Sequence, residues 1–275
     1  MRKHRDKIFI YITLTLVGLF FLFPFFWMII VSLKTPSEIY ASPPSWVPLS
    51  TNIENYINIF KGTYVPRFFT NSIFISISSA LLTVILAFIA SYGLSRFKFK
   101  MRSIVFLSIL LGQLLPASVR FIPLYIMFVK INLQNTYIGL IITYVGWVLP
   151  FSILMLTGYL SSVPKELEES AMIDGCPRWK IIYKIVFPLA APGVAATMIY
   201  AFVNCWQEFM FGLVLIQDTI KKTLPVGLMY FKGEYNINWG NLMASTVVAV
   251  VPVTIIFVIF QKSFTAGLTK GAIKQ

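Results

Sequence analysis

Histidine and cysteine are almost missing from this chain of 275 residues, which has one of the first, His4, and two of the second, Cys176 and Cys205. Neither cysteine has a cluster of histidine or acidic partners around it, which argues against a metal site. One cysteine falls in a polar loop and the other in an apolar run, so a disulfide is not expected. Charge is also scarce, at 12% of residues, where a soluble domain carries about a quarter. A G-x-x-x-x-G-K-[S/T] phosphate loop is absent, so the chain by itself is not expected to bind or hydrolyse ATP. No linker, low-complexity tract or clear internal repeat divides it, and the expectation is a single transmembrane domain over residues 1–275.

Apolar sequence is what the chain has in quantity: 57% of its residues are hydrophobic. Uncharged runs occupy residues 8–33, 68–95, 103–119, 131–164, 185–207 and 235–261. A helix rises 1.5 Å per residue, so about 20 residues cross a hydrocarbon core of about 30 Å. Five runs are ample, the third is near the limit, and the expectation is an all-α membrane protein of about six transmembrane helices. The third should kink or end near Pro116 and Arg120, with residues 121–129 continuing obliquely or forming a helix in the outer headgroup region. The basic N-terminus followed by an apolar run is unlike a secretory signal, because the run is too long and no A-x-A site follows; it reads as a retained first helix.

Basic residues collect at alternate ends of these runs. Arg2, Lys3, Arg5 and Lys7, then Arg96, Lys98, Lys100 and Arg102, then Lys165, Arg178, Lys180 and Lys184, and finally Lys262, Lys270 and Lys274 all fall on one side. The bias places that side, with both termini, in the cytoplasm. The net charge of +13 is then a topogenic signal and an affinity for anionic lipid, with no soluble basic domain to bind nucleic acid. Outer stretches cover residues 34–67, with Tyr40, Trp46 and Tyr56 as interfacial anchors, and residues 217–240.

Residues 164–192, PKELEESAMIDGCPRWKIIYKIVFPLAAP, form a charged insert on the cytoplasmic side. Pro164 suits a first helical turn, and Glu166, Glu168 and Glu169 put negative charge at the positive end of the dipole. Gly175 and Pro177 interrupt the helix, which makes the insert helix, turn and helix. In the second helix Trp179, Ile182, Tyr183 and Val186 recur at i, i+3, i+4, i+7 as an apolar stripe expected to pack inward.

The sequence Glu169-Ser170-Ala171, two residues, Asp174-Gly175, and the Phe187-Pro188 ending resembles the EAA loop of bacterial ABC-importer permeases, spanning residues 162–188 here. Ser170 and Cys176 stand where that family usually has alanine. SLKTPSEIY at 32–40, Asn71-Ser72, Tyr92 with Arg96, LPASVRFIPLY ending at Tyr125, LQNTYIGLI at 133–141, WQEF at 206–209 and GLTKGAIK at 267–274 resemble the maltose-type carbohydrate subgroup. The Thr157-Gly158-Tyr159-Leu160 stretch departs from it, lacking a basic residue before the glycine. The resemblance implies an inner-membrane permease, of bacterial or archaeal plasma membrane, that carries a sugar or related polyol. It also implies two cytosolic ATPase subunits that bind ATP and magnesium, a second permease, and a periplasmic or lipid-anchored solute-binding protein. The loop would be the coupling helix, with charge from Glu169 and Asp174, small residues at Ser170 and Ala171, and the turn at Gly175.

For a transport path, Tyr200, Asn204, Gln207 and Glu208 recur at i, i+4, i+7, i+8 and share one helical face. A carboxylate at mid-membrane costs roughly 2.5 to 3.5 kcal/mol on insertion scales, so Glu208 faces a polar cavity, finds a partner such as Arg120, or lies at the interface reached by water. Tyr144, Trp147 and Phe151 form an aromatic stripe that either stacks on sugar rings or packs helices together. Asn71 and Ser72 read as hydrogen-bonding groups between helices. An ABC permease for another small polar solute is the near alternative. An ion-coupled secondary transporter is the further one, disfavoured because repeated halves and further intramembrane charges are lacking. A non-transporting scaffold is the third reading.

Overall fold

The computed structural model describes residues 2–114, 116–233 and 236–272, with the backbone only for 2–6, 113, 117 and 261–272. In lipid the backbone must satisfy its own hydrogen bonds, and the apolar runs do so as helices. In order these are α1 (Arg2–Ser32), α2 (Pro36–Ile39), α3 (Glu54–Lys61), α4 (Val65–Arg96), α5 (Arg102–Leu114), α6 (Ala117–Lys130), α7 (Tyr137–Ser161), α8 (Glu166–Ile173), α9 (Arg178–Ile181), α10 (Phe187–Gln207), α11 (Met210–Leu215), α12 (Leu224–Gly227) and α13 (Trp239–Ala272). Among the described residues five stretches, Lys7–Ser32, Val65–Arg96, Tyr137–Ser161, Arg178–Gln207 and Trp239–Phe260, are long and apolar enough to cross a membrane. The third run differs. At 13 residues α5 is about 20 Å long, short of the hydrocarbon core. The expected interruption falls where proline dictates: Pro116 is the N-cap of α6, with an extended ψ of 136°, and α6 is a separate helix of 14 residues.

Contacts divide the chain into two compact units, residues 1–66 with 227–251, and residues 67–226 with 252–275. In the first, α1 shows most of its apolar side chains to the surroundings, as a helix bathed in lipid would. The SLKTPSEIY stretch ties off its end. Asn55 on α3 donates to the carbonyls of Ser32 (2.9 Å) and Lys34 (3.0 Å), and Ser32 shares a hydrogen bond with the Tyr56 hydroxyl (2.8 Å). Such bonds satisfy carbonyls that a helix end leaves without partners. Lys34 is 2% exposed; its ammonium donates to the Ser45 carbonyl and lies 4.9 Å from the centre of the Trp27 ring. Thr35 and Glu38 form a reciprocal capping box on α2, and the second Glu38 oxygen accepts the Leu49 N–H at 3.0 Å. Of the expected interfacial aromatics, Tyr40 and Trp46 are exposed and Tyr56 is half-buried.

In the second unit α4, α7 and α10 supply the core. Ala87 and Leu94 meet Ile153 and Leu156, and Tyr92 and Leu160 meet Ile181, Val186 and Ala190. Gly193 lets α10 approach α7, since a Cβ there would lie 2.5 Å from the Tyr159 ring. Asn71 and Ser72 do bond across elements, as expected. The Asn71 amide donates to the carbonyls of Ile220 and Lys222, its oxygen accepts the Tyr137 hydroxyl, and Ser72 accepts the Leu224 N–H. The last residues of GLTKGAIK, 273 and 274, lie outside the described residues.

Candidate coupling loop and transport cleft

The insert between α7 and α10 begins with α8, whose first turn carries Glu166, Glu168 and Glu169. It ends in a paired C-terminal cap. The Gly175 N–H donates to the Met172 carbonyl (3.1 Å) and the Cys176 N–H to the Ala171 carbonyl (3.0 Å), with Gly175 left-handed at φ +75°. Glycine takes that conformation without the steric cost of a Cβ. Glu169, Ser170, Asp174 and Gly175 face outward, while Ala171 packs on the core beside Tyr92 and Ile181.

The second half of the insert differs from the expected separate helix. Arg178–Ile181 leads through a π-helical turn, Ile182–Val186, straight into α10. Pro188 has no N–H to give the Lys184 carbonyl and its ring would crowd that carbonyl in a regular helix; the wide turn accommodates both. The widening also shifts the buried face. Ile181 and Val186 pack inward, and Trp179 and Tyr183, expected on the packed stripe, are 70% and 69% exposed. Ile173, in the first half of the insert, is 87% exposed as well.

Glu168 is the residue that the sequence reading left with only a dipole role. It is buried, accepting from the Tyr92 hydroxyl at 2.9 Å and pairing with the Arg96 guanidinium. Arg96 also donates to the carbonyls of Leu160 (3.0 Å) and Val163 (3.1 Å), at and just past the C-terminal end of α7. One guanidinium thus joins the ends of α4 and α7 to α8. The pairing of Tyr92 with Arg96 at i and i+4 was the available signal, without a partner to attach it to.

The expected path face on α10 is not one face. The helix ends at Gln207, and Glu208 turns out of it with an extended ψ of 129°. Gln207 is exposed. The Glu208 side chain is buried, its two oxygens accepting the N–H groups of Phe211 (2.7 Å) and Gly212 (3.1 Å) in α11. It therefore caps a helix, and among the described residues no ion pair joins it to Arg120. The Asn204 amide donates back to the Tyr200 carbonyl at 2.8 Å. The aromatic stripe on α7 divides as well: Tyr144 is fully buried, its hydroxyl against Gly212, whereas Trp147 and Phe151 reach a cleft. That cleft, about 180 Å³, is lined by Gly112, Arg120, Trp147, Pro150, Phe151 and Tyr200, the Phe151 and Tyr200 rings lying 4.6 Å apart. Of the candidate path residues Trp147, Phe151 and Tyr200 line it, and Tyr144, Asn204, Gln207 and Glu208 do not. Among the described residues no three histidine, cysteine or acidic side chains gather to hold a metal.

Membrane-length helices, a small aromatic cleft and an exposed loop continuous with one of its walls define a membrane transport subunit. The chain belongs to the family of binding-protein-dependent transport system inner membrane components, whose pattern matches residues 81–270. It is 37% identical over 253 residues to the sulfoquinovosyl glycerol transport system permease protein SmoH of Agrobacterium fabrum, covering 92% of this chain and 89% of that one. It is 36% identical over 271 residues to the trehalose/maltose transport system permease protein MalG of Thermococcus litoralis, covering 98% and 97%. The fold is that of a chain in the crystal structure of a bacterial ABC transporter involved in the import of the acidic polysaccharide alginate, with TM-score 0.82, 22% identity, and coverage of 94% and 98%. Like these relatives, it is a transport permease and not an enzyme.

Proposed function

We propose that this chain is the permease subunit of an ATP-driven importer that translocates a sugar or related polyol handed over by a solute-binding protein. Two cytosolic ATPase subunits hold the ATP and magnesium, and a second permease, a different chain, completes the pore. The chain sits in a bacterial or archaeal plasma membrane with both termini and the loop 162–188 in the cytoplasm. Its six crossings comprise the five long helices and the α5 to α6 region.

The observation that carries this reading is mechanical. The helix that starts at Arg178 in the exposed loop continues through the π turn to Tyr200 in the cleft wall, and Arg96 and Glu168 brace the loop's other helix. A force on Glu169, Ser170, Ala171, Asp174 and Gly175 thereby reaches the cleft through rigid structure. Saccharide cargo is supported by the relatives named for trehalose and maltose and for sulfoquinovosyl glycerol.

The test is mass spectrometry of proteins that co-purify from gently solubilised native membranes. A phosphate-loop ATPase and a second permease are expected with the wild type, and the ATPase should be lost with Gly175→Arg or Glu169→Lys although insertion is intact. Absence of any ATPase, under conditions that keep other membrane complexes together, would reject the reading.

A further inference from the structure

We propose that the cleft between α6, α7 and α10 selects saccharides that bear an anionic group, a carboxylate or sulfonate, and that Arg120 is the residue that reads the charge. This rests on the sugar-permease reading above and narrows it.

Among the described residues Arg120 has no countercharge. Its Nε is buried and has no hydrogen-bond partner, and the ion pairs among the described residues, Arg96 with Glu168 and Lys221 with Asp218, do not involve it. Glu208, the acidic residue that the sequence suggested for it, is committed to the Phe211 and Gly212 amides. Among the described residues no acidic side chain lines the cleft. A buried donor left unpaired costs free energy, and a guanidinium is the side chain best matched to a planar or tetrahedral oxyanion, through two parallel N–H bonds. The cleft is therefore chemically incomplete until an anion enters.

Its other walls specify what carries the anion. Trp147, Phe151 and Tyr200 offer aromatic faces, and Pro150 and Gly112 add apolar or open surface. Aromatic faces suit the C–H surface of a sugar ring. The volume, about 180 Å³, is below the roughly 300 Å³ at which small-molecule pockets usually begin. It takes one ring, or the acidic end of a longer chain. A neutral sugar would stack on the same rings and leave the guanidinium unmatched.

The experiment uses the assembled permease pair with its ATPases in phosphatidylcholine nanodiscs, with the solute-binding protein omitted so that only the membrane cleft is read. Calorimetry compares matched pairs: glucuronate with glucose, galacturonate with galactose, mannuronate with mannose. At least one acidic sugar is expected to bind tenfold or more tightly than its neutral partner, with the advantage shrinking as salt rises. Arg120→Gln should remove the advantage of the acid over its neutral partner, and Arg120→Lys should retain part of it. Neutral sugars that bind as well as their acids in all three pairs, or an advantage that survives Arg120→Gln, would overturn the proposal while leaving the sugar-permease reading in place. Binding of no saccharide of either charge to an assembled, ATP-hydrolysing complex would overturn both. Should Arg120→Gln not assemble, the salt dependence of the wild type and the Arg120→Lys result decide.

Discussion

Glu168 and Arg96 are nearly enclosed, each with its charge matched by the other and by neutral donors or acceptors. Removing one partner of such a pair strands the other, at a cost of about 3 to 5 kcal/mol, whereas replacing both by apolar groups costs much less. Glu168→Gln is therefore expected to lower the thermal midpoint of the purified complex and to uncouple ATP hydrolysis from transport, and Glu168→Leu combined with Arg96→Met should recover much of the stability. Equal stability of the Glu168→Gln protein and wild type would show the pair to be dispensable. Glu38 gives a pH dependence. Its carboxyl is held below the ordinary carboxylate value by the Thr35 N–H above all, with the Leu49 and Ser50 N–H groups adding to it against the effect of burial. A group whose folded value is depressed stabilises the fold above its unfolded value and loses that contribution as pH falls through the depressed one. Amide exchange at Leu49, corrected for intrinsic rate, should accelerate as pH drops below the ordinary carboxylate range, and in Glu38→Gln that dependence should vanish.

Helix ends and crossings carry the next set of consequences. Gly175 closes α8 in a left-handed conformation, so Gly175→Ala should cost about 1 to 2 kcal/mol locally and speed exchange of the Cys176 amide, with α8 fraying first. The crossing of α7 and α10 depends on Gly193. A methyl there would overlap the Tyr159 ring, and overpacking of this kind costs about 1 to 3 kcal/mol. Gly193→Ala is expected to impair transport, and Tyr159→Leu in the same chain should relieve it; failure of the second change to restore activity would place the fault elsewhere. A periodicity of 3.6 put Trp179, Ile182, Tyr183 and Val186 on one inward stripe; Ile182 and Val186 do pack on the core, but across the widened turn before Pro188 they do so with Ile181 in place of Trp179 and Tyr183.

For the chain as a membrane protein, the charge bias makes a labelling prediction. A membrane-impermeant maleimide should reach Ser170→Cys only from the cytosol and Trp46→Cys only from the outside, in a background without Cys176 and Cys205; both positions are exposed. Reaction of both from one side would refute the proposed orientation. Most of this layout was legible in the sequence. Long uncharged runs must be helices in lipid, and prolines and left-handed glycines break them at fixed places. The break at Pro116, the cap at Gly175 and the exposed loop followed from such local rules. What no local rule supplied was pairing. Glu168 among three similar glutamates became the buried partner of Arg96, Glu208 capped α11 instead of facing a cavity, and of the candidate path residues Trp147, Phe151 and Tyr200 reached the cleft with Arg120 while Tyr144 was buried away from it. These outcomes depend on which distant atoms share a volume and on where a helix stops or widens. Partition into membrane and local backbone geometry act within a few residues and are written in the sequence, whereas the matching of buried charges is decided only when the helices pack.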